Sequence, residues 1–486
     1  MSFFKKFSIQ LSHFLTGGTL SLLLGFVTFP ILTRILSTEQ YGVLGLVTTT
    51  MSLVLVFSKA GLSNAVIRFY QEYRNDDMQK TVFASTIFYR ALMISFIVMV
   101  LYFFTVPLFI KYLGINAEYE VCFKIMAAYL LIRPMNILIN NMLRVNDRTF
   151  FMNALGLCTR VARILVALVL LLYVVRRFYG YFLGIAAVEF MLAIILLYWF
   201  LSNYRVRFKE ASNSLTIDLI KFGAPLLITE ITYLLLSYAD RYMIVAWYGE
   251  NSLGVYTVGY NLAMYLVNIL AFSLSYTVIP AYVEVYGEKG KEQTEEFLKK
   301  VFYYIVIVIF PICLGYYAIS DDLFVFLASE KYAAASIFSP IILIGTFILE
   351  LNNVFNAGLY LKKKTATILK IMITAVVVNI ILNIILLPRF GIIGAAFATL
   401  ISCAASSALT IILSRRLIAI AFNLKHIAYY LILSVLMYAA VQQIEISTIA
   451  VSMLAKIVLG IAIIVSGVLV KEREILKLTK QKLGIG

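Results

Sequence analysis

Histidine is nearly absent from the 486 residues: only His13 and His426 occur, alongside two tryptophans, four cysteines and eight prolines. So few imidazoles leave histidine-based metal or triad chemistry without its commonest side chain. Cys122, Cys158, Cys313 and Cys403 stand singly inside apolar runs, without the close spacing of metal or redox sites. They read as small core residues, and a disulfide scaffold is excluded. Charge is also scarce: Asp, Glu, Lys and Arg make up 14% of the chain, against about 25% in an average soluble domain. That excludes a soluble multidomain enzyme and a disordered tail protein. What fills the space is apolar: 62% of residues are hydrophobic and mean hydropathy is +0.94. Runs of about 20 apolar residues recur from end to end, each long enough to cross a hydrocarbon core of about 30 Å as a helix. The net charge of +16 would suggest nucleic acid in a soluble protein, but most cations lie in short connections between the apolar runs. That distribution reports membrane topology, and no nucleic-acid partner is expected.

Lys5 and Lys6 precede the first apolar run as they would in a signal peptide, yet the run continues to about Ile35 without a small-residue cleavage site. It reads as the first span. Turn signals mark about fourteen spans in all, the first seven near 10–35, 42–67, 81–106, 121–142, 150–175, 180–201 and 218–246. The remainder lie near 254–281, 299–319, 334–359, 365–387, 392–414, 427–443 and 447–470. Alternate connections differ sharply in charge. One set, with both chain ends, carries about 24 Lys and Arg; the other carries about 5, namely Lys111, Arg176, Arg177, Lys331 and Arg389. The positive-inside rule therefore places both termini in the cytoplasm.

Polarity jumps at Asn203–Ser214, and the sequence on either side looks alike. Tyr41-Gly42-Val43 and Leu253-Gly254-Val255 each follow a polar stretch, with the two glycines 212 residues apart. Arg177-Phe178-Tyr179-Gly180 and Arg389-Phe390-Gly391 repeat at the same offset, each before a small-residue run, Gly184-Ile185-Ala186-Ala187 and Gly394-Ala395-Ala396. An even number of spans before a cytoplasmic linker predicts parallel repeats related by an axis along the membrane normal. The expected fold is an all-α integral membrane protein of two six-helix lobes plus two C-terminal helices. Its domains are a first lobe over 1–202, a linker over 203–217, a second lobe over 218–416, and two final spans with a tail over 417–486. This is the plan of an alternating-access transporter with its site between the lobes.

Charges predicted inside spans are costly, at least about 2.5–3.5 kcal/mol each near mid-bilayer, and so mark protein-lined or hydrated surroundings. Arg90, Arg133, Arg160, Arg163 and Lys59 all fall deep within first-lobe spans, and are expected to line a cationic cavity that receives an anion such as a diphosphate. The planar guanidinium fork suits phosphate through paired charge-assisted hydrogen bonds. The alternative is that these cations pair with Glu189, the acid expected in the same lobe, or cap backbone carbonyls. Glu230, Asp240 and Glu350 are candidates for coupling to a proton or sodium gradient; the alternative is structural pairing with Lys221, Arg241 or Lys370. No cofactor or metal set is indicated, and no nucleophile or paired-acid constellation suggests an enzyme.

Three stretches together resemble one family. They are Leu32-Thr33-Arg34-Ile35-Leu36 running into Glu39-Gln40-Tyr41-Gly42, Ala239-Asp240-Arg241 followed by Gly254-Val255-Tyr256, and Asn379 to Asn383 through Pro388-Arg389-Phe390-Gly391 to Thr399. The chain resembles Wzx-type polysaccharide flippases, relatives of the multidrug and toxic-compound extrusion (MATE) transporters and the lipid II flippases. The resemblance implies a fourteen-helix, MATE-like fold in a bacterial cytoplasmic membrane. It also implies movement of undecaprenyl-diphosphate-linked oligosaccharide to the outer leaflet for O-antigen, lipopolysaccharide or capsule assembly. The implied partners are the lipid-linked oligosaccharide, membrane lipids, a polysaccharide polymerase and chain-length proteins. A MATE-like, cation-coupled exporter of small molecules or drugs is the alternative, although a cavity for organic cations calls for acids where this first lobe is cationic.

Overall fold

A computed structural model describes residues 24–471. Lys5, Lys6, His13 and the tail cations Arg473, Lys477, Lys480 and Lys482 lie outside the described residues, as does the stretch 10–23 of the expected first span. The described residues are helical nearly throughout, and the chain divides into two compact units, 1–254 and 255–486. The polar linker expected at 203–217 lies within the first of them.

In the first unit, α1 (Leu24–Ile35) leads to α2 (Thr38–Lys59), α3 (Leu62–Tyr73), α4 (Asp77–Leu113), α5 (Glu120–Val145), α6 (Thr149–Val169) and α7 (Tyr179–Asn203). Helix α8 (Asn213–Ser273) carries the chain on into the second unit. Local chemistry sets several of these boundaries. The Ser37 hydroxyl accepts from the Gln40 amide while the Gln40 side chain accepts from the Ser37 amide, a reciprocal cap that starts α2. The Asp76 carboxylate caps α4 by accepting from the Gln79 amide. The stretch α8 is two helices meeting at Gly249, whose non-helical φ of 73° and ψ of 179° lie where a Cβ is strongly disfavoured. The core of the unit gathers Val66, Phe83, Ile139, Met142, Leu196 and Phe200 from α3, α4, α5 and α7.

The second unit continues with α9 (Ile279–Leu327), α10 (Ala335–Glu350), the short α11 (Asn352–Phe355) and α12 (Ala357–Leu361), α13 (Thr365–Phe390), α14 (Ile392–Ser414), α15 (Leu424–Val441) and α16 (Ile449–Lys471). A buried amide stitches α13 to α14: Asn379 donates to the Ser402 hydroxyl at 3.1 Å, while within α13 Asn383 donates back to the Asn379 carbonyl at 2.9 Å. The small residues after Gly391 thus bring two helices close enough for polar side chains to bond across them. Met437 of α15 packs on Ala318 of α9.

Among the described residues, twelve helical stretches are long and apolar enough to cross a membrane, and Leu24–Ile35 is a shorter apolar one. Their outward faces carry large apolar side chains: Phe104 is 72% exposed on α4 and Leu454 63% exposed on α16. Such surfaces are stable in hydrocarbon and not in water, so this is a multi-pass membrane protein. Three cysteines, Cys122, Cys313 and Cys403, are buried as expected, whereas Cys158 is exposed on α6.

Candidate functional site

A close helix crossing prepares the site. Gly184 of α7 lies against Ala167 of α6 so tightly that a Cβ there would stand 2.5 Å from the Ala167 Cα. One turn from Ala167 on α6 is Arg163, and just over one turn from Gly184 on α7 is Glu189. They meet: Arg163 Nη2 donates to Glu189 Oε2 at 2.5 Å. From α5, Arg133 Nη1 donates to Glu189 Oε1 at 3.0 Å, and Asn136 Nδ2 donates to the same oxygen at 2.8 Å and to the Glu189 carbonyl at 3.1 Å. Arg133 and Asn136 share a face of α5 because they are three residues apart.

Arg133, Arg163 and Glu189 each lie about 15–21 Å from both ends of their membrane-spanning helices, by the rise of 1.5 Å per residue. The cluster is therefore near mid-depth. Glu189 is wholly buried, while the Arg133 and Arg163 side chains keep 26% and 24% of their surface exposed. The Nε atoms of both arginines are buried and bond to nothing. Arg160, one turn from Arg163 on the same face, is exposed, lies close enough to Arg163 and Arg133 for repulsion to be felt, and has no ion-pair partner among the described residues. Three guanidiniums against one carboxylate leave the cluster with two positive charges in excess. Unused guanidinium donors with surplus positive charge suit an anion with several oxygens, such as a diphosphate.

The other expected cations lie elsewhere. Arg90 donates through Nε to the Thr216 hydroxyl at 3.2 Å and through Nη2 to Asn213, at the first turn of α8. The linker amides of Arg207 and Ser212 bond to the Ser85 and Thr86 hydroxyls of α4, both at 2.9 Å. Residues 85–90 therefore stand level with the linker, which corrects the expectation that Arg90 sits at mid-membrane. The reason is length: α4 has 37 residues and extends about 55 Å, well beyond a hydrocarbon core of about 30 Å. Lys59, at the end of α2, bonds Glu230 Oε1 at 2.5 Å. A cation assigned to the cavity and an acid assigned to coupling are thus partners of one another, and Glu230 pairs with none of the three cations expected for it.

Asp240 and Arg241 are buried in α8; Arg241 Nη1 donates to the Thr49 hydroxyl at 2.9 Å, and its guanidinium lies 4.7 Å from the Tyr238 ring centroid. Glu350, at the end of α10, accepts from Asn353 Nδ2 at 2.9 Å. Glu230 and Asp240 are about 15 Å apart along one helix, so they do not share a site. Asn136 was missed in the sequence, although its spacing from Arg133 carried the signal.

A family model described as polysaccharide biosynthesis protein matches residues 11–286, more than half of the chain. The chain belongs to that family. A second family model, described as MatE, matches residues 225–385. Among its relatives, an uncharacterized membrane protein of Methanocaldococcus jannaschii is 26% identical over 372 residues, covering 72% of each chain. The probable low-salt glycan biosynthesis flippase Agl15 of Haloferax volcanii is 22% identical over 245 residues, covering 50% of this chain and 52% of its own length. The solved structure of the lipid II flippase MurJ in an inward closed conformation superimposes with a TM-score of 0.79 at 16% identity, over 95% of this chain and 99% of that one. At that identity the likeness speaks to the fold.

Proposed function

We propose that this member of the polysaccharide biosynthesis family is a flippase that carries an undecaprenyl-diphosphate-linked oligosaccharide across the bacterial cytoplasmic membrane by alternating access. One observation carries the reading: Arg133 and Arg163 share the single buried carboxylate of Glu189 beside an unpaired Arg160, leaving surplus positive charge at mid-depth. A guanidinium facing acyl chains at that depth is strongly disfavoured, so the exposed edges of this cluster open toward a hydrated space. Arg160 and the free donor edges of Arg133 and Arg163 bind the diphosphate oxygens, Glu189 and Asn136 hold the two paired guanidiniums in place, and the lipid tail stays in the bilayer. The family match and the flippase relative support the cargo class. In this reading both termini are cytoplasmic, and the delivered cargo goes to a polymerase with its chain-length proteins.

The match to MatE over 225–385 favours a second reading, a MATE-like exporter of small molecules. The surplus positive charge of the first unit argues against organic cations as its cargo. The test is to replace Arg160 and Arg163 together by Ala and follow surface polysaccharide and lipid-linked oligosaccharide in cells. The flippase reading expects loss of surface polymer with accumulation of the lipid-linked unit at normal protein level. Full export by that variant overturns it.

A further inference from the structure

Arg90, removed from the mid-depth cluster by the geometry, borders a separate cavity. This hollow of about 730 Å³ lies within the first unit, lined by Leu92, Met93 and Phe96 of α4, Leu131 of α5, and Lys209 of the linker, with Arg90 at its polar end. Tyr89 and Phe208 also line it, their rings meeting edge-on at 5.2 Å between centroids. The lining is sharply divided. Leu92, Met93 and Phe96 are 39%, 46% and 54% exposed along the span, where hydrocarbon surrounds them, while the two cations sit level with the linker at the membrane face.

Neither cation is neutralised. Arg90 spends Nε and Nη2 on the uncharged Thr216 and Asn213, which fix its guanidinium, and neither it nor Lys209 forms an ion pair with Glu210 or any other acid among the described residues. A hydrogen-bonded guanidinium and an exposed ammonium above an apolar trough match a phosphodiester headgroup above an acyl chain. From this geometry we infer that the cavity is a binding site for an anionic glycerophospholipid, separate from the cluster around Glu189. The lipid's phosphate lies against Arg90 and Lys209, and one acyl chain runs along Leu92, Met93 and Phe96. Occupancy ties α4 to the linker that Arg90 already holds.

The test uses the full-length protein purified in detergent. Native mass spectrometry measures apparent affinities for dioleoyl-phosphatidylglycerol and for dioleoyl-phosphatidylcholine, which has the same chains but no net charge. The anionic lipid is expected to bind more tightly, with about a fivefold loss of that preference for each cation removed, in Arg90→Gln and in Lys209→Gln. The second variant breaks no hydrogen bond, so it separates headgroup recognition from loss of the tie between helix and linker. Met93→Trp, which fills the trough, is expected to weaken both lipids. Equal binding of the two lipids, or an unchanged preference in Lys209→Gln, overturns the proposal. Displacement of phosphatidylglycerol by equimolar undecaprenyl diphosphate would give the site to the cargo's carrier, and displacement by inorganic phosphate to a free anion; either result also overturns it.

Discussion

Gly42 and Gly254 lie against each other's helices in a reciprocal contact: a Cβ on Gly42 would strike the Glu250 carbonyl oxygen, and a Cβ on Gly254 would strike the Thr38 carbonyl oxygen. Thr38 and Glu250 each stand four residues before their own glycine, so the contact is self-complementary in the manner of a local two-fold. Thr38 Oγ1 donates to Asn251 Oδ1 at 2.7 Å beside it. The internal repeat seen in the sequence therefore places like against like at this crossing.

Gly42→Ala and Gly254→Ala are each expected to destabilise the protein by about 1–3 kcal/mol through overpacking against rigid backbone. Thermal unfolding of the purified variants in detergent checks this; unchanged midpoints would show that the helices part at little cost.

Glu189→Gln is expected to cost about 3–5 kcal/mol, because it leaves two partly buried guanidiniums without their counter-charge. Asn136→Leu is expected to cost less, about 1–3 kcal/mol, by removing two hydrogen bonds to that residue. Unfolding titrations in SDS compare them, and the order Glu189 above Asn136 is the point at risk.

Arg160→Ala removes a cation that makes no hydrogen bond or ion pair among the described residues. Export of surface polysaccharide is expected to fall about tenfold or more, the scale of one lost charge-assisted hydrogen bond, at unchanged protein level and melting temperature. Arg160→Lys is expected to restore part of the activity, since it keeps the charge but not the fork.

The Lys59–Glu230 pair joins α2 to α8 with side chains 14% and 39% exposed. Because Glu230 is well exposed, a double-mutant cycle is expected to give a coupling of only about 1 kcal/mol. The charge-swapped double variant is expected to be more stable than either single reversal. A transport defect in Glu230→Gln that the swap does not relieve would return this acid to a role in ion coupling.

The sequence made the spans legible because a membrane helix needs a long apolar run, and that requirement is local. It also singled out Glu189 and its cationic surroundings, since intramembrane charge is rare enough to notice. The partners were less legible. Lys59 and Glu230 are 171 residues apart, and nothing in the local pattern of either span names the other. Depth misled at Arg90 because hydropathy marks the apolar part of α4 and not the polar turns that extend the helix past the core. The break at Gly249, where φ of 73° and ψ of 179° leave helical geometry, falls at the boundary expected between the spans 218–246 and 254–281, because a polar stretch interrupts the apolar run there.

The resident carboxylate at Glu189 bears on turnover. A carrier that clasped its freight with bare guanidiniums would hold it too long to release it on the far side. In the proposed reading, a resident carboxylate that lowers the cluster from three positive charges to two would moderate the grip on an arriving phosphate and keep unloading fast.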